Sequence, residues 1–341
     1  MYRKIMSFLE AWKDSEHRKP LILQGARQVG KTYSILEFGR TCYENVAYFN
    51  FETNPKLNET FEENISPDYL IPILSHIAGQ TIVKEKTLIV FDEVQLCERA
   101  LTSLKYFCED APDYHIIVAG SLLGVAVNRA KFSFPVGKVD MKTLYPMDME
   151  EFMIACGESA LVEQIKKCFA EDKPLPSALH DAAMQLYRQY LIVGGMPECV
   201  MQFVETKDYI LVRHTQDTIL ASYLNDMSKY NNLNEIKKTR LAYDNITVQL
   251  SKKNTRFQYK LIKKGGRASE FENAIEWLCL SGIVSQVYKV EQVKKPLENY
   301  RNIDAFKIYV SDLGLLCAKK DLAANDVLYM VEEINDFKGG M

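Results

Sequence analysis

The run Gly25-Ala26-Arg27-Gln28-Val29-Gly30-Lys31-Thr32 has the residue types and spacing G-x-x-x-x-G-K-[ST] that phosphate binding requires. Glycines let the backbone turn sharply and aim N–H groups at phosphate oxygens, and a helix opening at the end of the run adds its positive pole. In such a loop Lys31 reaches the β- and γ-phosphates, and the Thr32 hydroxyl ligates Mg²⁺. Sixty residues after Thr32, the apolar run Thr87-Leu88-Ile89-Val90-Phe91 ends in Asp92-Glu93. Asp92 is placed to hold Mg²⁺, often through water, and Glu93 to orient and deprotonate an attacking water. A strand ending in two acids usually just meets solvent; the loop upstream is what gives this pair a chemical reading. The expected ligands are ATP and Mg²⁺.

Two further groups are weaker. The apolar run His115–Ala119 ends in Gly120-Ser121, which puts a hydroxyl where it could sense the γ-phosphate or position the water; an ordinary turn serine is the competing reading. Phosphoryl transfer also calls for a cation that neutralises transition-state charge. Arg27, Arg129 and Lys138 are the candidates, each equally readable as a surface charge, and the sequence does not choose among them.

The elements that must position these groups follow from periodicity. Residues 1–14 carry Ile5, Phe8, Leu9 and Trp12 at helical spacing, which predicts an amphipathic helix. Leu21-Ile22-Leu23 runs straight into the glycine loop, and a helical pattern then extends to about Gly39. Further apolar runs at Val46–Phe51, Thr87–Phe91 and His115–Ala119 are continuous rather than alternating, as strands buried on both faces of a parallel sheet are. Helical stretches between them give an α/β domain over residues 1–150, with Lys138–Thr143 as one more strand. Residues 151–230 read as helices, broken at Pro174–Pro176 and turned at Gly194-Gly195-Met196-Pro197. Residues 231–320 give helix, basic segment, a second helix over Ala268–Ser281, then strands at Ile283–Val290 and Phe306–Val310, the order of a winged helix. Residues 321–341 read as the start of a further part.

Bulk composition narrows the classes. With 341 residues, 47% hydrophobic and 26% charged, the chain lies in the ordinary globular range. Its net charge of −3 leaves any nucleic-acid surface to a local patch. The eight cysteines and five histidines are scattered, without C-x-x-C pairs or zinc-finger spacing, which argues against a Cys/His metal site and fits a reducing cytoplasm. No signal peptide or bilayer-length apolar run stands out, so a cytoplasmic location with no membrane partner is expected.

Together, Gly25–Thr32, the DEVQ that closes the acidic strand, Gly120-Ser121, Tyr145-Pro146 before Glu150-Glu151-Phe152, and Gly194-Gly195-Met196-Pro197 resemble one group. It is the AAA-type P-loop ATPases of bacteria and archaea that carry a C-terminal restriction-endonuclease-like part. The resemblance implies a five-stranded parallel core, a helical lid, a winged helix and then the nuclease-like domain. It also implies phosphate and magnesium roles for Lys31 and Thr32, a catalytic role for Glu93 and a sensor role for Ser121. The family tends to have Gly-Arg where this chain has Gly137-Lys138, and a lysine cannot make a guanidinium's forked contacts. Ser311–Leu316 and Phe337–Gly340 look like the entry into the nuclease-like part, whose acidic strand and E-x-K motif do not follow. No nuclease activity is therefore expected.

Seven cations, Lys252, Lys253, Arg256, Lys260, Lys263, Lys264 and Arg267, stand in Ser251–Arg267 without an acid, interleaved with Phe257 and Tyr259. Such a patch favours phosphate contacts and salt-dependent DNA binding. It reads equally as a solvated turn or a docking face for an acidic protein partner, because the adjoining helix carries Glu270, Glu272 and Glu276. The leading functional expectation is an AAA-type ATPase that turns ATP turnover into domain motion, acting in DNA transactions or defence by family analogy, with oligomerisation left open. The competing expectation is a nucleotide-dependent switch or interaction module with negligible turnover.

Overall fold

The computed structural model describes residues 1–120, 135, 137–229, 233–251 and 256–329. Ser121, Arg129, Lys252, Lys253 and the run Phe337–Gly340 lie outside the described residues. The chain divides into two compact units, Arg3–Tyr145 on the one hand and Met1–Tyr2 with the chain from Pro146 onward on the other.

In the first unit, β1 (Leu21–Gln24), β2 (Asn45–Asn50), β3 (Thr87–Asp92), β4 (His115–Ala119) and β5 (Asp140–Thr143) form one sheet in the order β2-β3-β4-β1-β5. Every pairing is parallel. Every residue of β3 and β4 is buried, so both faces of the inner strands must be apolar, and their runs do not alternate. Helices α1 (Ile5–Lys13), α2 (Lys31–Cys42), α3 (Leu57–Glu63), α4 (Pro67–Ala78) and α5 (Glu98–Asp110) accompany the strands. This is the five-stranded α/β architecture of a P-loop core.

Because the strands are parallel, the loop after β1 and the acids that end β3 emerge at the same sheet edge. Aromatic packing fixes the β3 end. Phe91 meets Phe51 at 5.8 Å, Phe61 at 5.5 Å and Phe49 at 6.0 Å between ring centroids. Edge-to-face pairs of this kind add about 0.5–1.5 kcal/mol each beyond the area they bury, immediately behind Asp92.

The second unit begins with α6 (Met149–Ala155), α7 (Ser159–Ala170), α8 (Ser177–Val193), α9 (Pro197–Thr206) and α10 (Tyr209–Lys229). Asp148 starts α6 through a capping box with Glu151. There follow α11 (Leu233–Leu250), a single turn α12 (Tyr259–Ile262), α13 (Ala268–Leu280), the antiparallel pair β6 (Val284–Val290) and β7 (Arg301–Val310), then α14 (Leu313–Lys319) and α15 (Ala324–Leu328). Strand β7 begins five residues before the apolar run that predicts it. Backbone pairing to β6, resumed beyond a register shift at Tyr288/Lys289, carries the polar residues Arg301 and Asn302 into the ladder. The Phe257 N–H also donates to the Phe306 carbonyl at 2.9 Å, adding a short extended contact beside β7.

One buried carboxylate ties this unit together. Asp312 caps α14 by accepting from the Leu315 N–H at 2.8 Å, and its other oxygen accepts from the Gly195 N–H at 2.6 Å. The Gly195 carbonyl in turn accepts from the Met147 N–H at 2.7 Å. A Cβ on Gly195 would stand 1.9 Å from the Met147 oxygen, and one on Gly194 would stand 2.2 Å from Asp312 Oδ1. The glycine pair is thus required by backbone approach.

Candidate functional site

The loop between β1 and α2 has the conformation a phosphate nest needs. Gln28 (φ 65°) and Gly30 (φ 89°) are both left-handed on either side of Val29, and alternation of this kind turns successive N–H groups toward one point. Gly30 caps α2 without a side-chain acceptor, and the first turn of α2 has no acid. The helix's positive pole is therefore left for an anion. Gly25 has φ 147°, and a Cβ there would lie 2.2 Å from the Leu144 carbonyl oxygen. The end of β5 leaves room for glycine alone.

Lys31 and Thr32 open α2. The Lys31 ammonium is buried and donates to the carbonyls of Gly25 and Ala26, each at 2.8 Å, so it spans the inside of the loop. Thr32 Oγ1 donates to Asp92 Oδ2 at 2.8 Å. This bond joins the start of α2 to the end of β3 across a separation of sixty residues. Asp92 is itself buried, and its remaining oxygen accepts from the Glu93 N–H at 2.9 Å. Glu93 has left-handed backbone, φ 51°, at the entry to a single 3₁₀ turn over Val94–Leu96. A non-glycine residue in that region is held there by its surroundings, and such strain collects at functional sites. The Glu93 carboxylate accepts from the Gln95 side-chain amide.

Tyr48 and Gln95 are the partners that sequence reasoning misses. Tyr48 lies on edge strand β2 in register with Val90, and its hydroxyl donates to Asp92 Oδ2 at 2.7 Å while accepting from Asn50 at 3.2 Å. Burial, reinforced by the bond to Asp92, pushes the phenol up to about 12, so it stays a donor. Gln95 stands in the DEVQ run, yet nothing in that run shows that its amide turns back on Glu93.

The remaining residues divide by position. Ala26, Arg27, Gln28 and Val29 lie in the loop itself, and Gly120 follows the C-terminal end of β4 on the same edge as the loop. Lys138 precedes β5, at the opposite edge of the sheet, and forms an ion pair with Glu109 at 2.9 Å. Ser121 and Arg129 are outside the described residues.

The donor set fits magnesium. A hydroxyl and a carboxylate, both hard oxygen ligands, stand within hydrogen-bond distance of each other beside a loop shaped for phosphate, and Mg²⁺ favours oxygen and keeps several waters. Both Asp92 oxygens already accept hydrogen bonds, which suits contact through water rather than direct ligation.

Comparison with known proteins bears on the fold. Residues 17–153 match the family model of the AAA domain. The match takes in the glycine loop and the Asp92–Glu93 pair. Residues 184–326 match a domain of unknown function, DUF8612, over the stretch where a helical lid and a winged helix are expected; the restriction-endonuclease-like part that the resemblance implies is not among the matches. Among solved structures, the Walker-type ATPase PABY2304 of Pyrococcus abyssi is similar over 94% of this chain and 95% of its own, at 14% identity and a TM-score of 0.55. The Aeropyrum pernix ORC2 protein in ADPNP and ADP complexes matches at 12% identity over 98% of this chain and 94% of its own, with a TM-score of 0.43. No curated protein matches the sequence. Among the described residues, no helix is long and apolar enough to cross a membrane.

Proposed function

We propose that the chain binds Mg·ATP at the AAA domain's phosphate loop and hydrolyses it. The observation that carries this reading is the 2.8 Å bond from Thr32 to Asp92, which brings a phosphate-binding helix start and a strand-end acid pair to one place. Val29, Gly30 and their neighbours orient the phosphates through backbone N–H groups. Lys31 turns its ammonium to the β- and γ-phosphates, leaving the loop carbonyls it holds at rest. Glu93 positions the attacking water and accepts its proton. Thr32 and, through water, Asp92 would hold magnesium, which would neutralise phosphate charge there. If Lys31→Ala leaves the affinity for Mg·ATP unaltered, this reading is wrong.

In the same proposal residues 151–230 act as a helical lid and 231–320 as a winged-helix-like domain that turnover moves, in a cytoplasmic protein. Helix α11, the extended contact at Phe257, α13 and the β6–β7 hairpin support that assignment. The segment Lys252–Arg267 is its candidate DNA surface. Within that segment Lys263 pairs with Glu270 at 3.1 Å and Arg256 donates to the Asp304 carbonyl at 2.6 Å, so part of its charge is already used internally.

The second reading, a switch that binds ATP and turns it over negligibly, is favoured by one contact. Gln95 holds one oxygen of the Glu93 carboxylate, which restricts how that group can turn toward a water. Turnover of the wild type against Glu93→Gln, with and without DNA, separates the two. Equal, near-zero turnover in all four conditions leaves the switch.

A further inference from the structure

The first unit contains a buried arginine that the nucleotide chemistry does not by itself require. Arg3 precedes α1 and is 4% exposed. Its Nη1 donates to the Val29 carbonyl at 2.9 Å and its Nη2 to the Tyr145 carbonyl at 2.8 Å. The two acceptors differ in kind. Val29 lies in the phosphate loop between left-handed Gln28 and Gly30, so its carbonyl falls outside the ladder of α2. Tyr145 is the last residue of the first unit. Leu144, just before it, donates to the Gln24 carbonyl at 2.8 Å, and its own carbonyl is what a Cβ on Gly25 would meet. The loop is therefore bounded at its start by the Leu144 backbone and near its end by Arg3, and Arg3 also grips Tyr145.

We propose that Arg3 is a positioning residue that fixes the phosphate loop and ties it to the Leu144–Tyr145 segment at which the first unit ends. A guanidinium is suited to this because its planar fork serves two acceptors at once and stays charged when buried. An ammonium keeps the charge but has no fork. The proposal rests on the ATP reading for its effect on nucleotide affinity and stands on geometry for the rest.

The test compares the full-length wild type with Arg3→Lys and Arg3→Gln by amide hydrogen exchange, with and without Mg²⁺ and a non-hydrolysable ATP analogue. Without nucleotide, both variants should exchange faster at residues 25–30 and at 144–145 together, with the β3 and β4 amides unchanged as a check on folding. With nucleotide, the wild type should gain protection in both segments. Arg3→Lys should gain it in the loop only, with affinity weaker on the order of tenfold, the scale of one lost charged hydrogen bond. A wild type that binds no nucleotide refutes the ATP reading, while the exchange comparison without nucleotide still decides the role of Arg3. The proposal is overturned if Arg3→Lys matches the wild type in both segments, or if exchange rises throughout the domain rather than in these two segments.

Discussion

Asp312 offers a sharp test of the second unit, because opposing influences act on one carboxyl. Complete burial pushes it up from 3.8 to about 6, while the N–H groups of Gly195, Leu315 and Gly314 pull it down. If burial wins, the folded unit binds this proton more tightly than the unfolded chain does. The associated stabilisation is fully present below pH 3.8 and is lost as pH rises through about 6. A shift of about 2 pH units at 1.36 kcal/mol each is about 3 kcal/mol. Asp312→Asn removes the titration. It can keep an oxygen for the Leu315 N–H, but then places an amide N–H₂ against the Gly195 N–H, a mismatch worth about 1–3 kcal/mol.

The two tryptophans allow the unit to be followed alone. Trp277 is buried on α13 and Trp12 lies on α1 in the other unit, so in a Trp12→Phe background urea unfolding by fluorescence reports the second unit. The wild type should be the more stable at pH 4. Between pH 4 and 7 it should lose about 3 kcal/mol relative to the asparagine variant, closing or reversing the gap. A gap that stays constant over that range, or widens with pH, would show that the three N–H donors offset or outweigh burial and that the reasoning is wrong.

Other outcomes follow from the AAA domain. Gly25→Ala drives a Cβ into the Leu144 carbonyl and should weaken Mg·ATP binding at least on the order of tenfold in a fluorescence titration, with the fold retained by circular dichroism. If the carboxylate acts on water as proposed, Glu93→Gln should lower turnover about 100-fold or more while Mg·ATP affinity stays within about threefold. Tyr48→Phe removes a donor to Asp92 and should raise the Mg²⁺ concentration for half-maximal nucleotide binding about tenfold; nucleotide binding in chelator should not change. Gly195→Ala, with its Cβ 1.9 Å from a backbone oxygen, should leave the second unit unfolded, read as loss of the Trp277 transition.

What the sequence shows depends on whether a residue's partner is local or distant. Strands β3 and β4 are legible because burial on both faces demands a continuous apolar run, and the loop is legible because nest, helix start, lysine and threonine lie within eight residues. Edge strand β5, Asp-Met-Lys-Thr, lacks such a run yet lies within the expected strand Lys138–Thr143, whereas the start of β7 is set by pairing to β6 rather than by its own polar residues. Tyr48 reaches Asp92 through strand register, and Arg3 reaches carbonyls 26 and 142 positions away. Those acceptors leave no trace in a sequence, because every residue carries a carbonyl and side-chain identity does not report which one is used. Glycine is the partial exception. Gly25, Gly194 and Gly195 each mark a place where another chain segment comes too close for a Cβ, so their positions reveal that an approach occurs. The structure supplies the partners: the Leu144 backbone for the nucleotide loop, the Asp312 carboxylate for Gly194 and the Met147 backbone for Gly195. The glycines thus mark the joints of each unit, and the residues gripping those joints, Arg3 in one and Asp312 in the other, are where substitution separates packing from function.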